Sequence, residues 1–367
     1  MRHLAQLKHK ALRGRMPSGL VVSFKTKMRG LPAALSGAIY VRASAKTVHH
    51  DGAIVTLDTG EFGTTYDDTA GYYGFETEPA ATNLSLNSAG AAATYTTSNV
   101  SDAGTPITGF AQSLAFGNNS VQRSATKPIS VTSGTPYTIS FYIQMDDGGE
   151  PVIGSTNTTG DFSFTLNGVI GTTNPLVRKI GDTGTLYRVS AARTASATTS
   201  HEAGITKFTG QSARTFRVVG IQVETGVRAT SYIETAGSTA TRAADLLVQP
   251  LSAINKFNIA GYTLFVSCRR DVVLGANFYA MSFTNGATAN RVGMSVNASN
   301  VEGWAVDSGG VSQVNITGAS PGTSVRKRAV SLSTDNFISG LNGADGASDN
   351  TMTMPVVFTV LGIGNQN

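Results

Sequence analysis

After Gly14 the chain has no helical periodicity longer than about two turns, and it breaks instead into short apolar runs bounded by Gly, Pro, Asn or Asp. The runs are Tyr137–Ile143, Phe162–Leu166, Tyr187–Ala191, Thr215–Val223, Tyr262–Cys268, Phe278–Phe283, Arg291–Val296 and Arg328–Leu332. Each is rich in aromatic or β-branched side chains, which pack well on a pleated surface and crowd a helix. Strands at this spacing, joined by tight turns, point to antiparallel β-sandwiches. Composition agrees. Of 367 residues 41 are Gly and only 14% are charged, against roughly a quarter in an ordinary soluble protein. A hydrophobic content of 40% is enough for real cores. No apolar run reaches the roughly 18 residues of a membrane-spanning helix. The single cysteine, Cys268, excludes a disulfide scaffold or a Cys-based zinc site within one chain.

Charge is distributed unevenly. The first 50 residues hold ten Lys/Arg and no acid; Asp51 is the first carboxylate. The remainder carries 18 basic and 23 acidic residues, so a mildly acidic body follows a basic arm. Leu4, Leu7 and Ala11 recur at helical spacing, which predicts a short amphipathic helix over Arg2–Arg15, stopped by Gly14 and Pro17. So short a helix orders only against a partner. Leu4, Leu7 and Leu12 with Lys8, Lys10, Arg13 and Arg15 are therefore the expected docking residues, and residues 1–46 the attachment element of a body that folds without them. The basic stretch leads into no continuous apolar segment, which argues against a signal peptide. One aromatic, Phe24, precedes Tyr40, so the arm has no base-stacking platform and nucleic acid is not the expected partner.

The expected layout is all-β: two antiparallel β-sandwich (jelly-roll) domains behind a basic, mostly irregular N-terminal arm with a short helix. The arm covers 1–46, an irregular connecting segment with short strands 47–95, the first sandwich 96–240 and the second 246–367. Thr235–Asp245, poor in large apolar residues, is the expected interdomain linker.

Residues that resemble catalytic or metal sites have plainer readings. Gly318–Gly322 (GASPG) matches a hydrolase nucleophile elbow centred on Ser320, but Pro321 lacks the N–H that the oxyanion hole takes from the following residue. The acid groups Glu76/Glu78, Asp67/Asp68 and Asp146/Asp147 with Glu150 lie in Gly-rich, turn-like sequence rather than on converging faces. His49 and His50, next to Asp51, point apart on an extended chain and read as a solvated surface. Asp345, Asp349 and Asn350 are the oxygen ligands of a conceivable loop Ca²⁺ site, though their spacing is not that of an EF-hand. Trp304, the only tryptophan, is the candidate glycan contact, with a core position as its competing reading. No catalytic residue, cofactor or metal is expected.

Two segments carry a family resemblance. Gly74–Ser88 (GFETEPAATNLSLNS) resembles a segment of tailed-bacteriophage fibre, spike and head-fibre proteins. Val218–Leu247 is similar to the strand and exit segment that closes their carbohydrate-binding-module-like jelly roll. Gly220, Gln222, Glu224, Gly226, Ala229, Thr230, Ser231, Tyr232, Ile233, Thr235, Gly237, Thr241, Arg242, Ala243, Ala244 and Asp245 match that pattern position by position. Gly134–Tyr142 fits its lead-in strand, so the resemblance spans about Gly52–Leu247. The part beyond is similar to concanavalin A/laminin-G-like lectin domains, with Asn336–Gly343 at the place of a characteristic strand. Such domains continue past the strand matching Phe358–Gly362, which predicts a second sandwich completed in trans or left with an exposed edge.

The resemblance implies a virion structural protein, assembled in the bacterial cytoplasm, whose N-terminal segment docks on capsid, portal or tail proteins. It implies a homotrimer and host surface polysaccharide as a ligand, with no membrane partner. The rival classes are a tail-spike polysaccharide depolymerase or esterase and a bacterial lectin-like adhesin. Four of the five histidines precede residue 51, which weighs against a His-dependent mechanism.

Overall fold

The computed structural model describes residues 28–31, 35, 37–68 and 71–253 and, with interruptions at 269–277, 286–288, 297–301, 318–325, 334, 342–343, 350 and 354–357, residues 261–363. The described chain is all-β, and helix is confined to single turns such as Ala92–Thr94 and Leu251–Ala253. The lead-in part holds β1 (Ile39–Val41), β2 (Lys46–His50), β3 (Ala53–Leu57), β4 (Thr65–Asp67), β5 (Tyr72–Gly74) and β6 (Ala81–Asn83). Then come β7 (Thr96–Ser98), β8 (Ser101–Asp102), β9 (Leu114–Phe116), β10 (Arg123–Val131), β11 (Pro136–Met145) and β12 (Ser163–Leu166). They are followed by β13 (Val169–Gly171), β14 (Thr173–Lys179), β15 (Leu186–Thr194), β16 (Thr199–Lys207) and β17 (Phe216–Thr225).

Strands β7 to β17 form two sheets, ordered β13-β12-β16-β10-β7 and β14-β15-β11-β17-β9-β8, with antiparallel pairing. One core lies between them. Phe141 packs its ring 5.3 Å from Phe162 and 4.9 Å from Phe164, and Phe116 stacks on Phe216 at 5.0 Å. Close approach of β10 to β16 requires Gly204, where a Cβ would lie 2.3 Å from the Ala125 carbonyl oxygen. Strand β11 is buried along nearly its whole length. Its odd positions Ile139, Phe141 and Ile143 enter that core, while Tyr142 faces the opposite way, among Ile107, Val219 and Tyr232. The six-stranded sheet is therefore covered on both faces, its outer face by the lead-in segment.

The remaining strands are β18 (Ala240–Arg242), β19 (Leu246–Pro250), β20 (Gly261–Cys268), β21 (Phe278–Thr284), β22 (Arg291–Val296) and β23 (Glu302–Ser308). After them come β24 (Val311–Thr317), β25 (Arg326–Ser333), β26 (Asn336–Leu341), β27 (Ala344–Asp349) and β28 (Val360–Ile363). A four-stranded sheet, β20-β25-β26-β27, faces a seven-stranded one ordered β1-β19-β28-β21-β22-β23-β24. Their shared core holds Leu264, Phe283, Val292, Met294, Trp304, Val330, Leu332 and Phe337.

All eight strands read from the sequence are present, and four expectations need correction. First, Trp304 is fully buried, so no ring face is open to a sugar; it alternates inward with Val306 on β23 and fills the core. Second, the C-terminal sheet is extended from within the chain rather than in trans, with an exposed edge still left. β28 pairs with β21 on one side and with β19 on the other, and β19 pairs in turn with β1. Segments from earlier in the same chain thus supply what sequence order could not show, and the edges left are β1 and β24. Third, residues 1–46 are not one detachable arm. Leu35 packs on Phe62 and Leu247, β1 belongs to the C-terminal sheet, and Arg42 and Lys46 are buried. The docking residues Leu4, Leu7, Lys8, Lys10, Leu12, Arg13 and Arg15 lie outside the described residues. Fourth, Asp345 and Asp349 stand on β27, paired with Gly340 and Phe337, rather than in a loop; Asn350 lies outside the described residues.

Because the chain has one tryptophan and that ring is wholly enclosed, its fluorescence reports the second sandwich alone. Emission should be blue-shifted and resistant to acrylamide in the native protein, moving red only as that sandwich unfolds. Trp304→Ala should destabilise it by about 3–5 kcal/mol, read from the midpoint of urea unfolding by circular dichroism.

Candidate functional site

The segments Gly74–Ser88 and Val218–Leu247 fold against each other. β6 pairs with β18, Thr82 opposite Thr241. Asn83 works in both directions: its Nδ2 donates to the Ile233 carbonyl at 2.8 Å, and its Oδ1 accepts the amides of Val223 and Ser85 at 3.1 and 3.0 Å. Ser88 Oγ lies 2.7 Å from the Tyr232 hydroxyl and accepts the Thr235 amide at 3.0 Å. Gln222 Oε1 accepts the Ile233 amide at 2.7 Å, and Glu224 accepts the Thr230 amide and hydroxyl at 2.9 and 2.6 Å. Gly220 sits at the register shift of β17 against β11 with φ +70°, and a Cβ there would approach Tyr232 and Tyr142 at 3.1 and 3.3 Å. Only glycine makes that bulge and that contact without strain.

At the end of these segments five charged side chains meet out of water: Arg42, Lys46, Glu78, Arg242 and Asp245 are each no more than 4% exposed. The Lys46 ammonium donates to Asp245 Oδ2 and to the Glu76 carbonyl, both at 2.7 Å, and lies 3.0 Å from Glu78 Oε2. Asp245 Oδ2 also accepts the Glu78 amide at 3.0 Å, and its Oδ1 accepts the Tyr40 hydroxyl at 2.7 Å. Arg42 donates to Tyr40 Oη at 2.5 Å and to the Asp58 carbonyl at 2.7 Å. Arg242 donates to the carbonyls of Pro79 and Ala243 at 2.5 and 2.9 Å, 3.7 Å from Glu78. The expected linker, Thr235–Asp245, therefore carries buried contacts rather than spanning solvent.

Burial alone would strip the charge from Lys46, but Glu78 and Asp245 outweigh it and hold its pKa above the ordinary value. Burial likewise opposes ionisation of Glu78, and Lys46, Arg242 and Arg228 reverse that, leaving its carboxyl well below the usual range.

Beside this cluster lies a cavity of about 50 Å³. Its walls are Thr47 and His49 of β2, Asn174, Leu176 and Arg178 of β14, Arg188 and Ser190 of β15, the loop Val227–Ser231, and Glu76 with Glu78. Arg178 and Arg188 are cross-strand partners. Arg188 lies 4.9 Å over the Tyr142 ring and donates through Nη2 to Ser140 Oγ and the Thr230 carbonyl at 3.0 and 3.1 Å. His49 Nε2 is 3.0 Å from the Tyr142 hydroxyl; burial, then Arg188 and Arg178, push its pKa down to about 3, so the ring is neutral. The arrangement is a small polar recess whose wall mixes Arg178, Arg188 and Arg228 with Glu76 and Glu78.

The expected solvated surface at His49–His50 is wrong: His50 is buried, with Nε2 2.6 Å from the Thr64 carbonyl oxygen, because β2 is covered on both faces. As on any strand, the two rings do point apart. Glu76, Asp68, Asp146 and Asp147 are committed to cations or amides. Glu76 meets Arg228 at 2.5 Å, Asp68 accepts the Lys179 amide at 2.9 Å, and Asp146 lies 3.3 Å from Arg217. Arg214 holds the Asp147 carboxyl down at about 2 from 2.6 Å away. Ser320 lies outside the described residues. Among the described residues no three His, Cys, Asp or Glu side chains converge as a metal site, and no helix is long and apolar enough to cross a membrane. The buried cluster and Arg178, Arg188 and Arg228 were missed. The available signal was Arg188 inside an apolar strand, and Arg242 with Asp245 inside an otherwise charge-poor segment.

Lys46→Met should destabilise the protein by about 3–5 kcal/mol in denaturant unfolding, since it leaves two carboxylates buried without their ammonium. The pH response follows from the two shifts. Depressed Glu78 adds stability that is present above its unfolded pKa of 4.5 and lost as pH falls through its lower folded value. Raised Lys46 adds stability that is present below 10.5 and lost as pH rises through its higher folded value. Unfolding free energy measured against pH should therefore show a shallower acid limb and a shallower alkaline limb in Lys46→Met than in the parent.

No protein-family model matches the chain, and no curated protein matches it.

Proposed function

We propose that this chain is a bacteriophage virion structural protein, a tail fibre, spike or head fibre. In this reading its N-terminal residues dock on capsid, portal or tail proteins, and its two β-sandwiches, one of them a carbohydrate-binding-module-like jelly roll, project and bind host surface glycans without degrading them. It assembles in the host cytoplasm and is a homotrimer, as such fibres are. One observation carries the reading. The two segments that resemble phage fibre proteins, separated by 129 residues, pack on each other through their matching positions: Glu78 with Arg242 and Asp245, Asn83 with Ile233, and Ser88 with Tyr232 and Thr235. The resemblance is therefore one of a built unit, not of two unrelated runs.

Two truncations test the docking role. Removal of residues 1–27 leaves Arg42, Lys46 and β1 in place, so the protein should keep its β-type circular dichroism while failing to label phage particles with immunogold. Removal of 1–46 takes away two of the three buried cations and should destabilise the body by several kcal/mol. Normal incorporation of the shorter truncation would overturn docking through the N-terminus.

Incubation of the intact protein with host capsular polysaccharide or lipopolysaccharide should give binding with no new reducing ends. Release of short oligosaccharides would instead identify a depolymerase.

A further inference from the structure

Three of the five buried charges stand as the reactants and the base of a condensation. Lys46 Nζ lies 2.7 Å from Asp245 Oδ2 and 3.0 Å from Glu78 Oε2, and the three residues arrive on separate segments: β2, the stretch before β6 and the approach to β19. None of them is more than 4% exposed. By ordinary carboxylate geometry the nitrogen is then roughly 3.5 Å from the carboxyl carbon, the edge of near-attack range.

The two oxygens of Asp245 have different surroundings. Oδ1 accepts the Tyr40 hydroxyl at 2.7 Å, and Arg42, which donates to that hydroxyl at 2.5 Å, stands 3.6 Å from the same oxygen. These are donors already aimed at an atom on which negative charge would develop. Oδ2 faces the ammonium and the Glu78 amide. Glu78 is held through Oε1 by the Ser231 amide at 2.6 Å, while its Oε2 faces the ammonium and accepts no other hydrogen bond. That oxygen is placed to carry a proton.

We propose that Lys46 and Asp245 become joined by an isopeptide bond, with Glu78 as the proton carrier. Glu78 Oε2 takes a proton from the ammonium, and the free amine attacks Asp245 Cγ. The oxyanion of the tetrahedral intermediate forms on Oδ1, beside Tyr40 and Arg42. Glu78 passes that first proton, and then a second taken from the nitrogen, to Oδ2, which leaves as water. The third ammonium proton stays on the amide nitrogen. One cation and one anion are consumed, and no oxidant or co-reactant enters. Burial favours a protonated Glu78, and the Lys46 charge is first among the cations that oppose it, so the proton transfer removes its own chief obstacle. Exclusion of water protects the amide once it has formed. The ion pair is the reactant state, and the pH limbs described above belong to the unlinked chain. The bond closes a ring across 199 residues that encloses the first sandwich. The chemistry stands on the cluster alone, whether or not the protein belongs to a virion.

Intact-mass spectrometry of the folded full-length protein, denatured only for the measurement, tests it. The mass should fall short of the sequence mass by one water, about 18 Da. Digestion with trypsin and Glu-C should yield residues 43–61 branched to residues 243–256. Lys46→Arg and Asp245→Ala should each restore the full mass and remove the branched peptide. Glu78→Gln should lower the ratio of linked to unlinked chain about tenfold or more, and undiminished linking in that variant would overturn the role given to Glu78. A wild-type chain of full mass, or a mass loss without the branched peptide, would overturn the bond itself, and neither reading depends on whether a variant folds.

Discussion

The contact between Lys46 and Asp245 is made across 199 residues of chain and lies out of water. Much of the lead-in architecture depends on it. A buried ammonium is tolerable only where carboxylates and carbonyls surround it, so β2, the Glu76–Glu78 stretch and the approach to β19 must arrive together or not at all. Each segment contributes one sign of charge or the carbonyls that complete the other. Arg42 and Arg242 anchor to the backbone at Asp58, Pro79 and Ala243, which ties the charges to fixed positions. Such a cluster adds little net stability compared with an apolar plug. Its use is register, because a one-residue slip in any segment would strand a charge.

The same logic explains why a polar recess survives inside a protein with two dense apolar cores. Beside its apolar cluster of Tyr142, Leu186 and Val219, the outer face of the six-stranded sheet presents Thr138, Ser140, Arg188 and Ser190. At the recess the lead-in segment meets that face with Thr47 and His49, the His49 ring lying edge-on to Tyr142 of the sheet. Layers held by hydrogen bonds and ion pairs stop at bonding distance and leave space between. Layers held by dispersion, as around Phe141, close it.

The strands were legible because alternation and turn residues are local properties, and β11 and β17 show them plainly. The inward position of Trp304 was legible as one of two readings for the same reason. Burial of His50 and the integration of Arg42 were not. Period-two alternation says that two faces differ, but not that both will be covered, and nothing near His49–His50 announces Tyr142 over one face or Thr64 and Tyr73 over the other. The linker reading of Thr235–Asp245 failed similarly. The absence of large apolar groups looks like exposure, whereas Thr235 and Arg242 are buried by hydrogen bonds and charge. The matched segments were readable as patterns before their physical content was: Gly220 as a bulge, Asn83 as a three-bond bridge, Asp245 as the centre of the ion cluster.

One sheet of this protein joins Ile39, Val248 and Gly362 as neighbours. During synthesis β1 must wait for β19, more than 200 residues behind it, which at ordinary elongation rates is roughly 10–40 s. For that interval Ile39 and Val41 belong to an unpaired strand on a nascent chain, while β7 to β17 can already close around their own core. Strand β28 bridges β19 and β21, so the sheet cannot close until residue 363 has been made. The second sandwich thus becomes a record that everything from Ile39 to Ile363 has been translated.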